Sequence, residues 1–586
     1  MKLMAMVSNY IRRSFGALNK AVFLGGFFPL ANLLFMHFYI RTSDLLEWRF
    51  LYSDFSCFFS SVFDVSLLTM LFLLITKLRT KPAAALTFCF TWIWSLVNVF
   101  YARFFYQYMS ISAFGEAGRI NDSLVVNSII AEIKWHDLFF PLVLVCFVFL
   151  YRRTPQKTVY SSSIKRLFFV AVFSVIMSQL FFSVYHFMGS SRNNWELYAQ
   201  RSKEIMGNIV VCGTTNLAHY HAGCIRPFVY ELYDLFSVTE LSEEERSQIA
   251  SFYKNEMGRT SHRQHSPQIE NVIFVILESF LTAPIDLFVD GKEITPFLNS
   301  LKNDSSVYYN GNMVSDIAGG ESGDGQFIYM NGLLPLRHKV TVGEAKKKIL
   351  PSLPRVLTER IGISNTEIYV PTMPNMWQQA DLNVVYGIKK MYSLKDIIGD
   401  SPSMINDQNM FEFAARKIDA CNTPFLSIIL SLSTHSPYDK FVGNNYLEGN
   451  ASLPTKYRNY LNTCHYTDEH LGAFVEALRQ KGVYDNSLIV ICADHYAHTG
   501  RMDMTGKISS HTPLFIIHGD IDRETAWGGE FHQLDIYTTL LDLLGIDTSW
   551  KGLGHTILSG EYENSVTPET YDISRMIIEG DYFRNM

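Results

Sequence analysis

The chain has 586 residues, more than one domain of about 150 residues needs, so at least two folding units are expected. Hydrophobic residues make up 48% of the chain and charged residues 18%, which excludes a disordered or low-complexity protein. Lys and Arg together number 50 and Asp and Glu 56, for a net charge of −6. This acidic balance argues against a nucleic-acid-binding protein, which needs a basic face.

Long apolar runs occupy the first 190 residues, and we predict five transmembrane helices there. They are Ala21–Ile40, Ser56–Thr76, Pro82–Ala102, Leu138–Tyr151 and Leu167–Gly189. Four of the five contain at least 20 residues, and at about 1.5 Å of rise per residue this length crosses a hydrocarbon core of about 30 Å. The run that begins at Leu138 is shorter, with 14 residues. Asp64 is the one acidic or basic residue inside these runs, and we expect it to reach water or to pair with another helix.

Basic residues cluster before the first run, between the second and third, and between the fourth and fifth. Because Lys and Arg favour the cytoplasmic side, an odd number of spans places everything after Gly189 outside the cytoplasm. No small-residue cleavage site follows Ile40, which argues against a removed signal peptide. We therefore expect a transmembrane domain over residues 1–189, an extracytoplasmic linker over 190–267 and a soluble domain over 268–586.

The linker contains two cysteines, Cys212 and Cys224, which are 12 residues apart. In an oxidising compartment they could close a disulfide, but spacing alone does not decide this. A surface helix is predicted over Leu241–Met257, and the histidines in the polar stretch that follows are interpreted as solvated.

After Ile269 the pattern changes to short apolar, β-branched runs that alternate with amphipathic ones. The predicted strands are Asn271–Leu277, Thr366–Val370, Phe425–Leu430, Ser487–Cys492 and Leu514–His518. The predicted helices include Thr295–Lys302, Leu353–Ile361, Gln408–Ile418, Tyr457–Lys481 and Gln533–Leu544. Apolar strands separated by helices indicate an α/β domain with a mainly parallel sheet that is covered on both faces. In such sheets the reactive site lies at the carboxyl ends of the strands.

Polar side chains follow three of the predicted strands. Glu278 comes directly after the first, His435 follows the third, and Asp494 and His495 follow the fourth. Each alone is typical of a polar cap at a strand end. Together they form an oxygen and nitrogen set that suits Mn²⁺, Zn²⁺ or Mg²⁺.

A nucleophile is predicted at Ser322, within the glycine-rich sequence GGESGDGQF that runs into a predicted helix over Asp324–Leu333. A hydroxyl at a helix N-terminus lies beside exposed N–H groups and the positive end of the helix dipole, which favour an alkoxide or a phosphate. Ser at such a position is usually a cap. A nearby metal would instead lower the pKa of the hydroxyl and make it nucleophilic.

Several motifs in residues 268–556 resemble the sulfatase-like branch of the alkaline phosphatase superfamily. The whole layout is similar to lipoteichoic acid synthases and related phosphoglycerol transferases, which place five membrane spans before an extracytoplasmic catalytic domain. The matching sequences are NVIFVILES, ITPFLNSL, GESGDGQF, LSTHSPY, VYDNSLIVICADHYA and HQLDIYTTLLDLLGI. The resemblance implies that Glu278, Ser322, Asp494 and His495 are metal ligands. It places Ser322 where these enzymes carry a nucleophilic Thr, and it implies that His435 belongs to the substrate pocket.

Two departures from the family pattern bear on the substrate. Ser322-Gly323-Asp324-Gly325 lacks the Pro and Arg of the true sulfatase signature, so sulfate ester hydrolysis is not expected. The teichoic-acid enzymes carry Trp-Asn-Arg, whose Arg grips phosphoglycerol, whereas this chain has Trp377-Gln378-Gln379. Trp377 is either a wall of the substrate pocket or a core residue. The missing Arg leaves phosphoethanolamine or another small phospho head group open.

The resemblance therefore implies an all-α membrane domain of five helices joined to an α/β sulfatase-like catalytic domain, in a bacterial inner membrane with the catalytic domain outside the cytoplasm. The expected cofactor is one divalent metal ion, Mn²⁺, with Zn²⁺ or Mg²⁺ as alternatives. The expected reaction moves phosphoglycerol, or a similar head group, from phosphatidylglycerol or phosphatidylethanolamine through Ser322 to an envelope glycan or polymer. A hydrolase using the same site and a non-catalytic envelope protein are the alternatives.

Overall fold

A computed structural model gives the fold of the chain. One compact unit comprises the described residues before position 238 together with Arg337, and a second comprises the other described residues after position 239. The predicted domain boundaries at 189 and 267 stay predictions, because most of the linker is outside the described residues. The structure describes residues 23–43, 52–105, 108–109, 133–158, 161–189, 220–236, 240–256, 269–337, 340–374, 378–399, 406–419, 424–436, 438, 446–447, 452–502 and 504–585.

The first unit is helical. After a π-helical turn at Phe23–Phe27 its α-helices are α1 (Phe28–Ser43), α2 (Tyr52–Ile75), α3 (Thr80–Phe105), α4 (Phe139–Arg153, preceded by the 3₁₀ turn Trp135–Leu138), α5 (Ser161–Gly189) and α6 (Ile225–Phe236). Among the residues that the structure describes, four helical stretches are long and apolar enough to cross a membrane, namely Asp54–Ile75, Thr80–Arg103, Trp135–Arg153 and Ile164–Phe181. Leu24–Ile40 is apolar but shorter. The structure therefore supports four of the five predicted spans, including the short one after Leu138, and the first stays a prediction.

Asp64 is fully buried in this unit, and its carboxylate is hydrogen-bonded to backbone N–H groups. Its carboxylate accepts hydrogen bonds from the N–H groups of Cys224 (2.6 Å) and Ile225 (3.4 Å), at the start of α6. Gly223 has a φ of +79°, and a Cβ there would clash with this carboxylate. The predicted pairing of Asp64 with another helix is thus achieved through the N-terminus of that helix, where an anion is stabilised. Arg226 adds a hydrogen bond of 2.9 Å to Ser60.

Whether Cys212 and Cys224 form a disulfide stays an open question, because Cys212 lies outside the described residues. Cys224 is buried among the membrane helices, and its Sγ lies 3.8 Å from Nε2 of His37.

The second unit is built on one eight-stranded mixed sheet. The strands of this unit are β1 (Asn271–Leu277), β2 (Phe288–Val289), β3 (Lys292–Glu293), β4 (Val307–Val314), β5 (Asn365–Tyr369), β6 (Lys390–Tyr392), β7 (Phe425–Leu430), β8 (Ser487–Ala493), β9 (Thr512–Ile517) and β10 (Phe531–His532). The order in the sheet is β10-β4-β9-β8-β1-β7-β5-β6, and neighbours pair in parallel except where β9 meets β4 and β8. A separate hairpin is formed by β2 and β3.

Helices cover both faces of the sheet. They are α7 (Glu243–Glu256), α8 (Pro296–Asn303), α9 (Ser322–Asn331), α10 (Thr341–Ala345), α11 (Leu353–Ile361), α12 (Gln379–Tyr386), α13 (Leu394–Ile398), α14 (Asp407–Asp419), α15 (Thr455–Gln480), α16 (Asp535–Leu543) and α17 (Pro568–Glu579), with 3₁₀ turns at Thr499–Met502 and Tyr582–Asn585. Alternate residues of β1 belong to different hydrophobic cores: Phe274 to one and Val275 to the other. This two-sided burial explains why β1 is apolar at every position after Asn271, as predicted for a covered parallel strand.

Helix α7 forms where the sequence predicts a surface helix, but one of its sides is buried in the second unit. Ile249 is buried in the core, and Tyr253 stacks on Trp550 with ring centroids 5.1 Å apart. The Tyr253 hydroxyl also accepts a hydrogen bond from the backbone N–H of Lys551. Residues 240–256 are therefore part of the second unit.

Three parallel neighbours, β8, β1 and β7, end at the same edge of the sheet. Glu278 leaves β1 there, Asp494 leaves β8, and the segment that carries His435 leaves β7. Backbone hydrogen bonds continue past the strand ends, from Asp494 N to Leu277 O (3.0 Å) and from Ser431 N to Ile276 O (3.0 Å). The sheet thus places three chain segments side by side where the sequence predicts the site.

Candidate metal and nucleophile site

Glu278, Asp494 and His495 form one compact cluster. Each offers a ligand atom, these atoms lie within 4.8 Å of one another, and all three residues are buried. Nε2 of His495 lies 3.7 Å from Oε1 of Glu278 and 3.7 Å from Oδ2 of Asp494. The structure therefore brings together the three side chains that the sequence places at two strand exits.

Hydrogen bonds orient each member of this cluster. Oδ1 of Asp494 accepts from the backbone N–H groups of Ser279 and His495, both at 2.7 Å. The Ser279 hydroxyl donates to Oε1 of Glu278 at 2.6 Å. Nδ1 of His495 lies 2.9 Å from the carbonyl oxygen of Tyr496, so Nδ1 carries the proton that it donates and Nε2 faces the carboxylates. This arrangement is typical of a metal-binding histidine.

The charge of the cluster fits a cation. Burial, followed by the charge of Glu278, raises the pKa of Asp494 to about 7. Burial lowers the pKa of His495, but the carboxylates of Asp494, Glu321 and Glu278 outweigh it and raise that pKa to about 9. Both raised pKa values reflect the excess negative charge of the buried cluster. A bound divalent ion would neutralise that charge. Two carboxylates and one imidazole suit Mn²⁺ or Zn²⁺.

Ser322 lies beside the cluster, as the first residue of α9. Its Oγ is 3.2 Å from Oε2 of Glu278 and 3.3 Å from Nε2 of His495. The positive end of the α9 dipole lies toward this region. Ser322 is not the N-cap of α9, since that position is held by Glu321. Its hydroxyl is directed at the predicted metal ligands.

The glycine-rich sequence around Ser322 allows the turn to pack against the exit of β8. A Cβ at Gly325 would clash with the carbonyl oxygen of Asp494, so only glycine lets α9 approach this closely. On the other side of the turn, the buried Asp324 accepts hydrogen bonds from the N–H groups of Ala318 (3.0 Å) and Gly320 (2.8 Å). Burial raises the pKa of Asp324 to about 6.

Sequence analysis missed two residues at this site, Glu321 and His498. Nε2 of His498 lies 3.2 Å from both carboxylate oxygens of Glu321. Glu321 has φ 45° and ψ −116°, a conformation that non-glycine residues avoid at a cost of about 1–3 kcal/mol. Two features of the sequence could have pointed to them: Glu321 directly precedes the predicted nucleophile, and His498 follows His495 by three residues.

His435 lies half-buried in the segment after β7, where its N–H donates to the carbonyl of Leu432 at 2.9 Å. Two contacts hold this segment at the sheet edge. The buried Asp407 accepts from the N–H groups of Leu432 (2.7 Å) and Ser433 (3.0 Å), and the Thr434 hydroxyl donates to the carbonyl oxygen of Glu278. Trp377 lies outside the described residues, so its predicted place in the pocket stays a prediction, as does the role of His435.

Comparison with known proteins identifies the domain. Residues 270–546 match the sulfatase family model. Lipoteichoic acid synthase of Staphylococcus saprophyticus is 25% identical over 502 residues, which cover 80% of this chain and 73% of that protein. Lipoteichoic acid synthase of Staphylococcus aureus strain NCTC 8325 is 26% identical over 501 residues, covering 80% and 74%.

A solved structure shares the fold over most of the chain. The lipooligosaccharide phosphoethanolamine transferase A of Neisseria meningitidis, an integral membrane protein, aligns with a TM-score of 0.52 and 14% identity. The alignment covers 90% of this chain and 96% of that protein. Residues 270–546 therefore match the sulfatase family, and the similarity to lipoteichoic acid synthases indicates a phosphotransferase of the alkaline phosphatase/sulfatase superfamily.

Proposed function

We propose that this protein is a membrane-bound, metal-dependent transferase that moves phosphoglycerol from a phospholipid to an envelope glycan or polymer through Ser322. The observation that carries the proposal is the position of the Ser322 hydroxyl, 3.2 Å from Glu278 and 3.3 Å from His495 at a helix N-terminus. A hydroxyl so placed is suited to attack an anionic phosphodiester. Similarity to lipoteichoic acid synthases supports the class of donor and acceptor.

Glu278, Asp494, His495 and the Ser322 oxygen would hold the metal, and Mn²⁺ is our proposed ion. When bound, a divalent metal supplies Lewis acidity that lowers the pKa of the hydroxyl and neutralises charge on phosphate oxygens. The positive end of the α9 dipole stabilises negative charge on the same oxygens.

In the first step the Ser322 oxygen attacks phosphorus. A bond from Oγ to phosphorus forms, and the bond from phosphorus to the diacylglycerol oxygen breaks. The serine proton passes to a nearby base, and the leaving oxygen takes up a proton and departs as diacylglycerol. We assign the donation of that proton to His435, which the segment after β7 brings to the same edge of the sheet.

In the second step the acceptor hydroxyl attacks the same phosphorus. The bond between phosphorus and Oγ breaks, the acceptor gives up its proton, and Ser322 recovers one. Water in place of the acceptor would give hydrolysis with the same residues. The nature of the second nucleophile therefore separates the transferase from the hydrolase.

Membrane helices would hold this enzyme at the membrane, where a phospholipid donor is concentrated. Four helices in the described part of the chain are long and apolar enough to cross a membrane, and the fold similarity to an integral membrane transferase covers 90% of the chain. We propose that Ala21–Ile40 is the fifth span. Together with the positive-inside rule, five spans imply a protein of the bacterial inner membrane whose second unit lies outside the cytoplasm.

The test uses purified full-length protein in detergent with phosphatidylglycerol labelled in the head group, Mn²⁺ and a membrane glycolipid fraction as acceptor. We expect diacylglycerol release and transfer of the label to the acceptor, and neither with a chelator or with Ser322→Ala. Parallel reactions with phosphatidylethanolamine test the alternative head group. Label that appears only as free head group in the presence of acceptor would identify a hydrolase, and no diacylglycerol from either lipid would contradict the proposal.

A further inference from the structure

We propose that Glu321 and His498 are positioning residues that form a clamp, the Glu321–His498 clamp, which fixes Ser322 against the metal ligands. The inference rests on the proposed function, because it takes Ser322 as the nucleophile. It assigns a role to two residues that do not belong to the ligand cluster.

The clamp attaches the nucleophile turn to the loop after β8. Both carboxylate oxygens of Glu321 lie 3.2 Å from Nε2 of His498, and the two side chains are only 17% and 12% exposed. On the other side of Ser322, Gly325 packs against the carbonyl oxygen of Asp494. Asp494 and His498 belong to the same loop. The residue that carries the nucleophile is therefore held to this loop both before and after its own position.

The backbone conformation of Glu321 indicates that its side chain has a role at this site. Its φ of 45° and ψ of −116° are accessible to glycine without strain and are avoided by other residues. The chain nevertheless has glutamate here, directly after two glycines. Strained non-glycine residues persist where the surrounding structure holds them in place and where they serve a site. The contact with His498 is the shortest ion pair of this carboxylate among those described, at 3.2 Å against 3.7 Å to His495.

Glu321 lies next to the predicted metal ligands without joining the compact set. Its Oε2 is 3.7 Å from Nε2 of His495, while the cluster whose ligand atoms lie within 4.8 Å of one another consists of Glu278, Asp494 and His495. Removing the clamp therefore leaves those three ligands in place. What changes is the freedom of the turn at residues 319–322, and with it the distance from the Ser322 oxygen to the ligands.

Misplacing a reacting group by about 1 Å costs about 100-fold in rate. We therefore expect His498→Ala in the full-length protein to lower kcat about 10- to 100-fold. KM for the lipid donor and the affinity for Mn²⁺, measured by calorimetry, should stay within about threefold of wild type. His498→Gln, which keeps a hydrogen-bond donor for Glu321, should recover part of the lost kcat.

Glu321→Gly separates the clamp from backbone strain. It relieves the unfavourable φ while removing the carboxylate, so we expect a melting temperature equal to or above that of wild type together with a reduced kcat. The matched control is His511→Ala, which breaks another Glu–His pair, with Glu530 at 2.9 Å, on an exposed part of the soluble unit. Its kcat should equal that of wild type.

Two results would overturn the clamp. A wild-type kcat in His498→Ala, with Ser322→Ala inactive, would remove the clamp and leave the proposed function standing. A fall in kcat that follows an equal fall in Mn²⁺ affinity would show that the pair acts through the metal and not through the serine. An active Ser322→Ala would instead overturn the proposed function itself.

Discussion

Replacing Ser322 by alanine distinguishes a nucleophile from a residue that only stabilises its helix. The structure sets the expected loss of stability. Ser322 does not occupy the N-cap of α9, and its hydroxyl contacts Glu278 and His495. Each such hydrogen bond contributes about 0.5–1.5 kcal/mol net, so we expect the two contacts together to account for a loss of about 1–3 kcal/mol. A fold with about 5–15 kcal/mol of stability tolerates this.

The expected loss of activity is much larger. Without Oγ the covalent route is closed, and we expect turnover to fall at least about 1,000-fold, which at about 1.36 kcal/mol per factor of ten is about 4 kcal/mol of transition-state stabilisation. The assay is diacylglycerol release at saturating phosphatidylglycerol, with thermal unfolding of the same preparation. Mass spectrometry of wild type mixed with donor should find a head-group phosphate on the peptide that contains Ser322.

Thr567→Ala is the matched control, because its hydroxyl caps α17 by accepting the N–H of Thr570 at 3.1 Å. It should cost about 1 kcal/mol of stability and no turnover. Ser322→Thr should keep partial activity, since threonine retains a hydroxyl at the same position. Turnover of Ser322→Ala within tenfold of wild type, or an adduct on another residue, would refute the nucleophile and leave the fold assignment intact.

Three further predictions concern the metal, the turn and the membrane. Asp494→Ala should abolish bound Mn²⁺ and activity while the membrane unit stays folded, and full metal occupancy measured by mass spectrometry would contradict the assigned ligand. Gly325→Ala should reduce turnover about 100-fold, because its Cβ would displace α9 from Asp494, and unchanged kinetics would refute that contact. A reporter fused after Met586 should be active only outside the cytoplasm and one after Thr154 only inside, and an external signal at Thr154 would disprove the five-span topology.

The sequence predicts best where a single physical cause dominates. Strands β1 and β7 begin and end where predicted, because a strand buried on both faces is apolar along its length and its polar successor marks the end. For the same reason Glu278 and Asp494 could be placed at one edge.

Other features depend on contacts that no local pattern encodes. Strand β4 was not predicted, because Asn310, Gly311 and Asn312 interrupt it and its register with β9 shifts there. The reversed direction of β9 leaves no trace in its own sequence. Glu321 was missed because its importance arises from an unfavourable backbone angle and from a histidine that the fold brings to it from 177 positions later.

The hydrogen bonds that Asp64 accepts from Cys224 and Ile225 have a consequence for biogenesis. The acceptor in α2 is synthesised 160 residues before its donor at Cys224, so during translation this carboxylate enters the bilayer without the partner that it has in the finished protein. An aspartate at the centre of an inserting helix costs about 2.5–3.5 kcal/mol. Truncated proteins that stop at Gly189 retain this cost permanently, whereas a fragment extended to Phe236 supplies its own compensation. The shortest membrane fragment that can be produced in stable form is therefore set by the helix that follows the last span, and not by the last span itself.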